Sequence, residues 1–511
     1  MSRSDGGAAR LLGVVLAVAL TAACAPSAAE PVPDPVASGD AAPPGAAAPA
    51  KSPVAPPPRP VALATDRARQ SAGVVAHGGG DAPYNYAPTL LLEGGKHRMW
   101  WCSQLGAAQP GGDDVLYAES AGVDGPFTAP DGNPSTPVLS GSTAGFDAMH
   151  TCDPSVIRVD GTYYLYYTGA ERDDHANGSA VGVATSKDGL TWTRAGQAIV
   201  GPSHDVLRDN VYGAGQQSAL WLDGWFYLMF TDTTAEAAGW NGAGQFVLRS
   251  RDPLFASGVQ ALGRSGFQQV PDTRSRRTRS VVDAFSADWM YVDALQAFVI
   301  AHSTEEGTTL TFWNKDFTAT PHPRVHIPGP WREGPGLVRT ALGHAPVSPE
   351  DPCGRVAVDV VRATVQGPAN APTDLVHYGL DLADVPGCAT KEAARALRGF
   401  AVPSPANTTD LVLDGGVVRV ERRSVTDRLA VRVLDRRPPV VDHLPVVAEV
   451  PAGAEAVRAP DGRLGLVLAD RLWVLGAGEV AAQVVAANSS KPTAVTEEVW
   501  DSYEEVGDLR R

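Results

Sequence analysis

An all-β fold, a five-bladed β-propeller, follows from three observations on this chain of 511 residues. The stretches "APTLLLEGGKHRMWWC" (87–102), "DPSVIRVDGTYYLYYTG" (153–169) and "QQSALWLDGWFYLMFTD" (216–232) share one frame and start 66 and 63 residues apart. Each is apolar at first, turns at Gly94-Gly95, Asp160-Gly161 or Asp223-Gly224, and returns as an aromatic-rich alternating stretch, the pattern of a β-hairpin. Each is also followed by a further strand-like stretch, and units of this length built from three or four strands are the signature of propeller blades.

Along the chain, Arg3 and Arg10 precede an apolar run, "LLGVVLAVAL" (11–20), too short to span a bilayer but suited to the core of a signal peptide. "TAAC" then ends at Cys24. Small residues leading into a cysteine resemble the lipobox of bacterial lipoproteins, with Thr21 where Leu is commoner. That resemblance implies a signal peptide over 1–23 and a lipid on Cys24 that holds the protein to a membrane surface. An ordinary signal peptide cut nearby is the other reading, and both predict export. Residues 24–71, largely Ala, Pro, Ser and Gly, read as an extended tether.

The hairpin units follow over 72–390. Their third strands fall in "DVLYAESAGVDGPF" (114–127), "AVGVATSKDGLTW" (180–192) and "GQFVLRSRDPLF" (244–255). A fourth unit lies in 286–317, and "EGPGLVRTALGH" with "RVAVDVVRAT" forms the fifth. Blades need neighbours to bury both faces of their sheets, so the set stands or falls together. Over 391–485, the helical "KEAARALRGF" precedes alternating segments, "GVVRVERR", "RLAVRVL" and "GRLGLVLADRLWVLG", which either complete a blade or form a small β-module. The polar, acidic residues 486–511 are expected to be disordered.

Composition narrows the function. The net charge is -15 and no Lys/Arg run marks a phosphate track, which argues against nucleic acid and suits a neutral polar partner. With Cys24 removed, four cysteines remain in an oxidising compartment, at spacings that match no zinc motif. Of the three pairings they allow, Cys102 with Cys152 and Cys353 with Cys388 are favoured, since each pair lies within about one repeat length. No phosphate-loop, dinucleotide or H-E-x-x-H signature is present. No cofactor is called for, although a structural cation in the channel would be compatible.

"CDPSVIRVDGTYYLYYTG", "GVATSKDGLTWTR" and "YGAGQQSALWLDGWFYL" together resemble the five-bladed propellers of glycoside hydrolase family 43 and its relatives, the β-xylosidases, α-arabinofuranosidases and related fructosidases. The resemblance covers 72–390 and is carried by the second and third units. It implies an acid at the head of the innermost strand of each of the first three blades: a general base, a pKa-adjusting Asp and a general acid. Of these positions only Asp153 is matched; Ala87 stands in the place of the base and Gln216 in that of the general acid. Losing one placed acid or base costs ~10²- to 10⁴-fold in rate.

Other acids stand close by. Asp81, Asp147 and Asp209 each lie six or seven residues before a slot, and Asp283 precedes the fourth unit. They read either as carboxylates rimming the funnel, able to act as catalytic acid and base with Asp153, or as caps of their own turns. His150 reads as a partner of a substrate hydroxyl or central ion, or as a structural histidine. Glu333 in "WREGPGLV" is a displaced acid or a surface residue. Tyr84, Asn85, Tyr86, Gln216 and Asp288 complete the substrate-binding candidates, with aromatic faces for sugar rings and polar groups for hydroxyls. Three functions compete: a membrane-tethered glycoside hydrolase with an altered carboxylate set, a carbohydrate-binding lipoprotein without catalysis, and a protein-interaction scaffold. Two carboxylates converging at the axis would favour hydrolysis, Asp153 alone would favour binding, and a plugged funnel would favour the scaffold.

Overall fold

The computed structural model describes residues 59–172, 178–204, 212–239, 242–365 and 374–509. The signal segment with Cys24, most of the tether and Asp209 lie outside the described residues. The chain is predominantly β, organised as several separate sheets.

The first strand is β1 (Ala64–Ala76). The first hairpin repeat forms β2 (Asn85–Glu93) and β3 (Lys96–Gln104), extended by β4 (Asp113–Ser120) and β5 (Thr136–Leu139). The second forms β6 (His150–Val159), β7 (Thr162–Ala170), β8 (Ala180–Ser186) and β9 (Thr193–Arg194). The third forms β10 (Ala214–Leu222), β11 (Trp225–Asp232), β12 (Gln245–Ser250), β13 (Gln260–Gly263) and β14 (Gly266–Gln269). The fourth forms β15 (Ala287–Val292), β16 (Ala297–Thr304), β17 (Gly307–Asn314) and β18 (Val325–Pro328). The fifth forms β19 (Gly336–Thr340), β20 (Val356–Thr364) and β21 (Asp374–Ala383), with β1 as its outer strand. Within each group the strands pair in sequence order, and the leading strands pack in a closed circuit: β2 on β6, β6 on β10, β10 on β15, β15 on β19, and β19 on β2 in parallel pairing.

The local reasons are those the sequence offers. Asp160-Gly161, Asp223-Gly224 and Gly94-Gly95 all hold positive φ, which two-residue hairpin turns require at both positions and which Asp and Gly tolerate. The aromatic returns are core: Tyr163, Tyr166, Tyr167, Tyr227 and Phe230 are all at most 3% exposed. Rings also bridge groups, with Tyr164 of the second group against Phe226 of the third at 5.5 Å and Tyr227 of the third against Phe298 of the fourth at 5.6 Å. Both expected disulfides are present, Cys102–Cys152 tying β3 to β6 and Cys353–Cys388 closing a loop of the fifth group.

Two expectations need correction. The tether was expected to reach residue 71, but residues 64–71 already belong to β1, which pairs antiparallel with β21. An edge strand exposes most of its side chains, so "ATDRARQS" carries no apolar alternation; what holds it is backbone pairing and Arg69, which bonds Asp359 at 2.6 Å and Asp381 at 2.7 Å. The acidic end, expected to be disordered, instead contributes strands Pro492–Ala494 and Glu504–Asp508 to a five-stranded sheet. Its few apolar residues are well used, since Trp500 and Leu509 are 2% and 1% exposed.

That sheet and a four-stranded one from Ala401–Pro403 to Val446–Val450 make up the C-terminal part, behind the 3₁₀ helix Glu392–Leu397. "RLAVRVL" (428–434) is not a strand: its first two residues end the helix Arg423–Leu429, in which Val425 and Leu429 are buried one turn apart, and the rest is irregular apart from an isolated bridge of Val433 to Ala401. Among the described residues no helix is long and apolar enough to cross a membrane.

Candidate functional site

Ala87, Asp153 and Gln216 occupy the same structural position, and it is an unusual one. Each has φ near +50° (44°, 48° and 52°), and each sits where the register of its hairpin shifts, between Tyr86 and Thr89, Cys152 and Ser155, and Gly215 and Ser218. Each leading strand therefore carries a β-bulge at its head, which turns one side chain away from the ladder. The backbone keeps this bend whether the side chain is a methyl, a carboxylate or an amide.

A hydroxyl two residues after each slot stitches the circuit. Thr89 Oγ1 accepts from the Val156 amide at 3.5 Å, Ser155 Oγ accepts from Ala219 N at 2.9 Å, and Ser218 Oγ donates to Asp288. Asp288 also accepts from Leu337 N at 2.7 Å. Arg339, fully buried on β19, closes the set by donating to Thr89 Oγ1 at 2.8 Å and Ser218 Oγ at 3.1 Å, and pairs with Asp288 at 3.2 Å. Burial holds the Arg339 pKa below its usual value, with Asp288 opposing the shift. Asp288 is thus a structural clamp rather than a substrate contact. The axial space bounded by Ala87, Asp153, Gln216, Asp288, Gly334 and Pro335 is only about 20 Å³, room for about one water.

Above that floor the chemistry gathers around Asp153 and Glu333. Asp153 is 6% exposed, and its Oδ1 is buried with no hydrogen-bond partner. Burial pushes its pKa up to about 7; Thr168 and Gln216 hydrogen bonds oppose the rise, and the Asp113 charge adds to it. Glu333, on the loop before β19, is likewise raised to about 7, by burial first, then by repulsion from Asp153 and Asp113, against a hydrogen bond with Tyr84. Two carboxyls near enough to repel, in a site that favours their neutral forms, titrate as a pair around neutrality.

Aromatic rings wall this pair. Tyr84 meets Tyr86 edge-on at 5.2 Å on one side, and Tyr212 meets Phe285 at 4.8 Å on another, with Phe285 39% exposed at the mouth. All three tyrosines have raised pKa values, Tyr84 to about 12, because burial and then the neighbouring carboxylates disfavour the phenolate. Asp113, at the head of β4, bonds His150 Nδ1 at 2.9 Å. Cys102, Asp113 and Cys152 lie together, but the two sulfurs are spent on each other, so the group offers a metal one carboxylate only.

Of the sequence candidates, Asp153, Tyr84, Tyr86, His150, Gln216 and Glu333 meet here. Asp81 caps a turn, its Oδ2 accepting from Ala107 N at 3.1 Å. Asp147 is buried and held by Ser142 at 2.6 Å, Tyr167 at 2.7 Å and Arg194 at 3.0 Å. Asn85 is fully buried, bonded to Ala82 O and Trp101 Nε1, and Asp283 is exposed on the loop entering β15. Asp113 and Tyr212 were missed. The Asp113-Asp114 doublet at a strand head was the one available signal for the first, and Tyr212, four before Gln216, carried none.

No protein-family model matches the chain. An uncharacterized protein, MT1551, of Mycobacterium tuberculosis (strain CDC 1551 / Oshkosh) is 31% identical over 116 residues, 22% of this chain and 34% of that protein, so the match spans about a third of the relative's length. Among solved structures, similar folds include Zg3597, a family 117 glycoside hydrolase of the marine bacterium Zobellia galactanivorans, at TM-score 0.44 and 12% identity over 63% of this chain and 92% of that one. The α-L-arabinofuranosidase PaAbf62A of Podospora anserina gives 0.40 and 14% over 62% and 97%. The catalytic domain of the GH62 α-L-arabinofuranosidase of Coprinopsis cinerea gives 0.39 and 12% over 62% and 97%.

Proposed function

We propose that this protein is an exported, membrane-tethered glycoside hydrolase with a five-bladed propeller and an altered carboxylate set, acting on a neutral glycan. The observation that carries the reading is the Asp153–Glu333 pair: two buried carboxyls, both raised to about 7, inside an aromatic wall. The closed circuit of five leading strands supports the propeller. The signal segment and Cys24 support export and lipid anchoring.

The chemistry follows from the environments. With both carboxyls near 7, the pair carries about one proton at neutrality, and in this reading Asp153 is the ionised member and Glu333 keeps the proton. Glu333 donates that proton to the glycosidic oxygen as the bond to the sugar breaks. The Asp153 carboxylate takes a proton from the water that attacks the anomeric carbon, and exchange with solvent restores both groups. Gln216 at the family's acid position can donate a hydrogen bond but no proton, and it holds Asp153 instead.

The test is a screen of xylo-, arabino- and fructo-oligosaccharides, scored for cleavage and for binding, with Asp153→Asn and Glu333→Gln alongside. Cleavage lost at least ~10²-fold in either variant is expected. Binding without cleavage by the native chain would instead establish a carbohydrate-binding lipoprotein. Release of a Cys24→Ala variant from membranes would accompany the tethered form, and unchanged retention would contradict it.

A further inference from the structure

A cavity much larger than the axial space lies away from the acid pair. It is a cleft of about 840 Å³ at the far ends of the leading strands, walled on one side by the β10–β11 turn and the segment after β19, and on the other by residues 391–398 and the turn at Leu413–Gly415 of the C-terminal part. A volume of this order falls in the ~300–1,000 Å³ range of pockets that enclose a small ligand.

Its charged groups differ in kind from those at Asp153. Six of them are matched in pairs, Arg395 with Asp223 at 2.6 Å, Arg398 with Asp414 at 3.1 Å, and His344 with Asp293 at 2.6 Å, and the exposed Lys391 and Glu392 add one charge of each sign. Burial opposes the charged form of His344, but Asp293 and the Trp221 carbonyl, which takes Nε2–H at 2.9 Å, overcome it and hold the ring's pKa up. Unlike Asp153 and Glu333, each of these three carboxylates has a cationic partner within 3.1 Å. What remains is a set of rigid donors and acceptors of no net charge, with the Trp221 indole, only partly buried, in the same wall. Paired charges repel neither sign and attract neither. A ligand with many hydroxyls and an apolar ring face satisfies both the hydrogen-bonding groups and the indole.

We infer that this cleft is a second, non-catalytic binding site for a short neutral oligosaccharide, formed jointly by the strand circuit and the C-terminal part. The carbohydrate class of the ligand rests on the reading of the acid pair; the site's existence as a binding cleft does not. A site of this kind holds one stretch of a glycan while another stretch, or another chain, is presented to the opposite face.

The experiment uses calorimetric titration of the full chain with linear xylo-, arabino- and fructo-trisaccharides. The probes are applied to the native protein, to the doubly substituted Asp153→Asn/Glu333→Gln protein, and to that protein with Trp221→Ala or with Arg398→Glu added. Arg398 is half exposed and leaves the core untouched, so it serves if the tryptophan variant fails to fold. One trisaccharide should bind the doubly substituted protein with one equivalent per chain, and either cleft variant should weaken that binding at least tenfold. Hydrolysis by the native chain with no such binding in the acid-pair variant would overturn the cleft and leave the acid pair standing. Retained binding that the cleft variants do not weaken would also overturn it. Cleft-dependent binding without any hydrolysis by the native chain would support the cleft and remove the catalytic reading.

Discussion

Glu333→Gln provides a test of the acid pair that needs no substrate. The folded chain raises the Glu333 pKa from 4.5 to about 7, so folding favours the protonated form. The sign then follows from proton counting. Below about pH 4.5 the carboxyl is protonated in both folded and unfolded chains and has no effect on the balance. Between about 4.5 and 7 the unfolded chain releases a proton that the folded chain keeps, so stability falls as pH rises; above 7 the loss is complete and constant. At about 1.4 kcal/mol per tenfold, that full loss is about 3 kcal/mol. Gln has no charge to bury, so the variant should be the more stable protein at pH 8 by about 3 kcal/mol, with the advantage vanishing by pH 4.5. Asp153→Asn should behave alike, by about 4 kcal/mol, since its starting value is 3.8 and it too reaches about 7. Thermal unfolding of each variant beside the native chain at pH 4.5, 6 and 8 measures this. A Glu333→Gln protein that melts lower than native at pH 8, or by the same difference at all three pH values, would refute the buried pair. Stabilisation by removal of the proposed catalytic groups is also what a site strained for function should give.

Three further outcomes are expected. Tyr84→Phe removes the hydrogen bond that holds Glu333 down, so the Glu333 pKa should rise, and the alkaline limb of a pH–rate profile should move to higher pH; a move to lower pH would contradict the contact. Arg339→Met leaves Asp288 buried without its cation, which should cost about 3–5 kcal/mol in the stability of the strand circuit, read as a lowered melting temperature; an unchanged one would show the clamp to be idle. Cys353→Ser with Cys388→Ser opens a loop of 35 residues and should cost about 2–5 kcal/mol by the same measurement, and a smaller change would mean that β19 to β21 hold that loop unaided.

The hairpins could be read from the sequence because their turns demand particular residues and their returns demand aromatic alternation, both local properties. The slot at Asp153 could be read because repetition aligned it with Ala87 and Gln216. What joins Asp153 was harder. Glu333 arrives from a loop 180 residues later, and Asp113 from a third strand whose head no repeat marks, so their meeting is a property of the circuit rather than of any segment. Asp81 and Asp147 had the expected spacing and yet serve turns and ion pairs, because spacing fixes distance along a strand but not which way a loop carboxylate turns. The acidic end misled through composition: one Trp and one Leu suffice to anchor a strand to a sheet that already exists. The hydroxyls at Thr89, Ser155 and Ser218 were visible in the repeat but carried no meaning until their neighbours were known.

The pairing of β1 with β21 sets a schedule. The outer strand of the fifth group is the earliest strand among the described residues, and its partner ends at Ala383, so about 300 residues of synthesis separate the two. At ~5–20 residues per second, that is roughly 15 to 60 seconds during which Ala64–Ala76 has no ladder to join. Its polar composition is what makes such a wait tolerable. "ATDRARQS" carries two arginines and an aspartate where a sticky edge would carry valines, so the waiting strand resists aggregation until Arg69 finds Asp359 and Asp381.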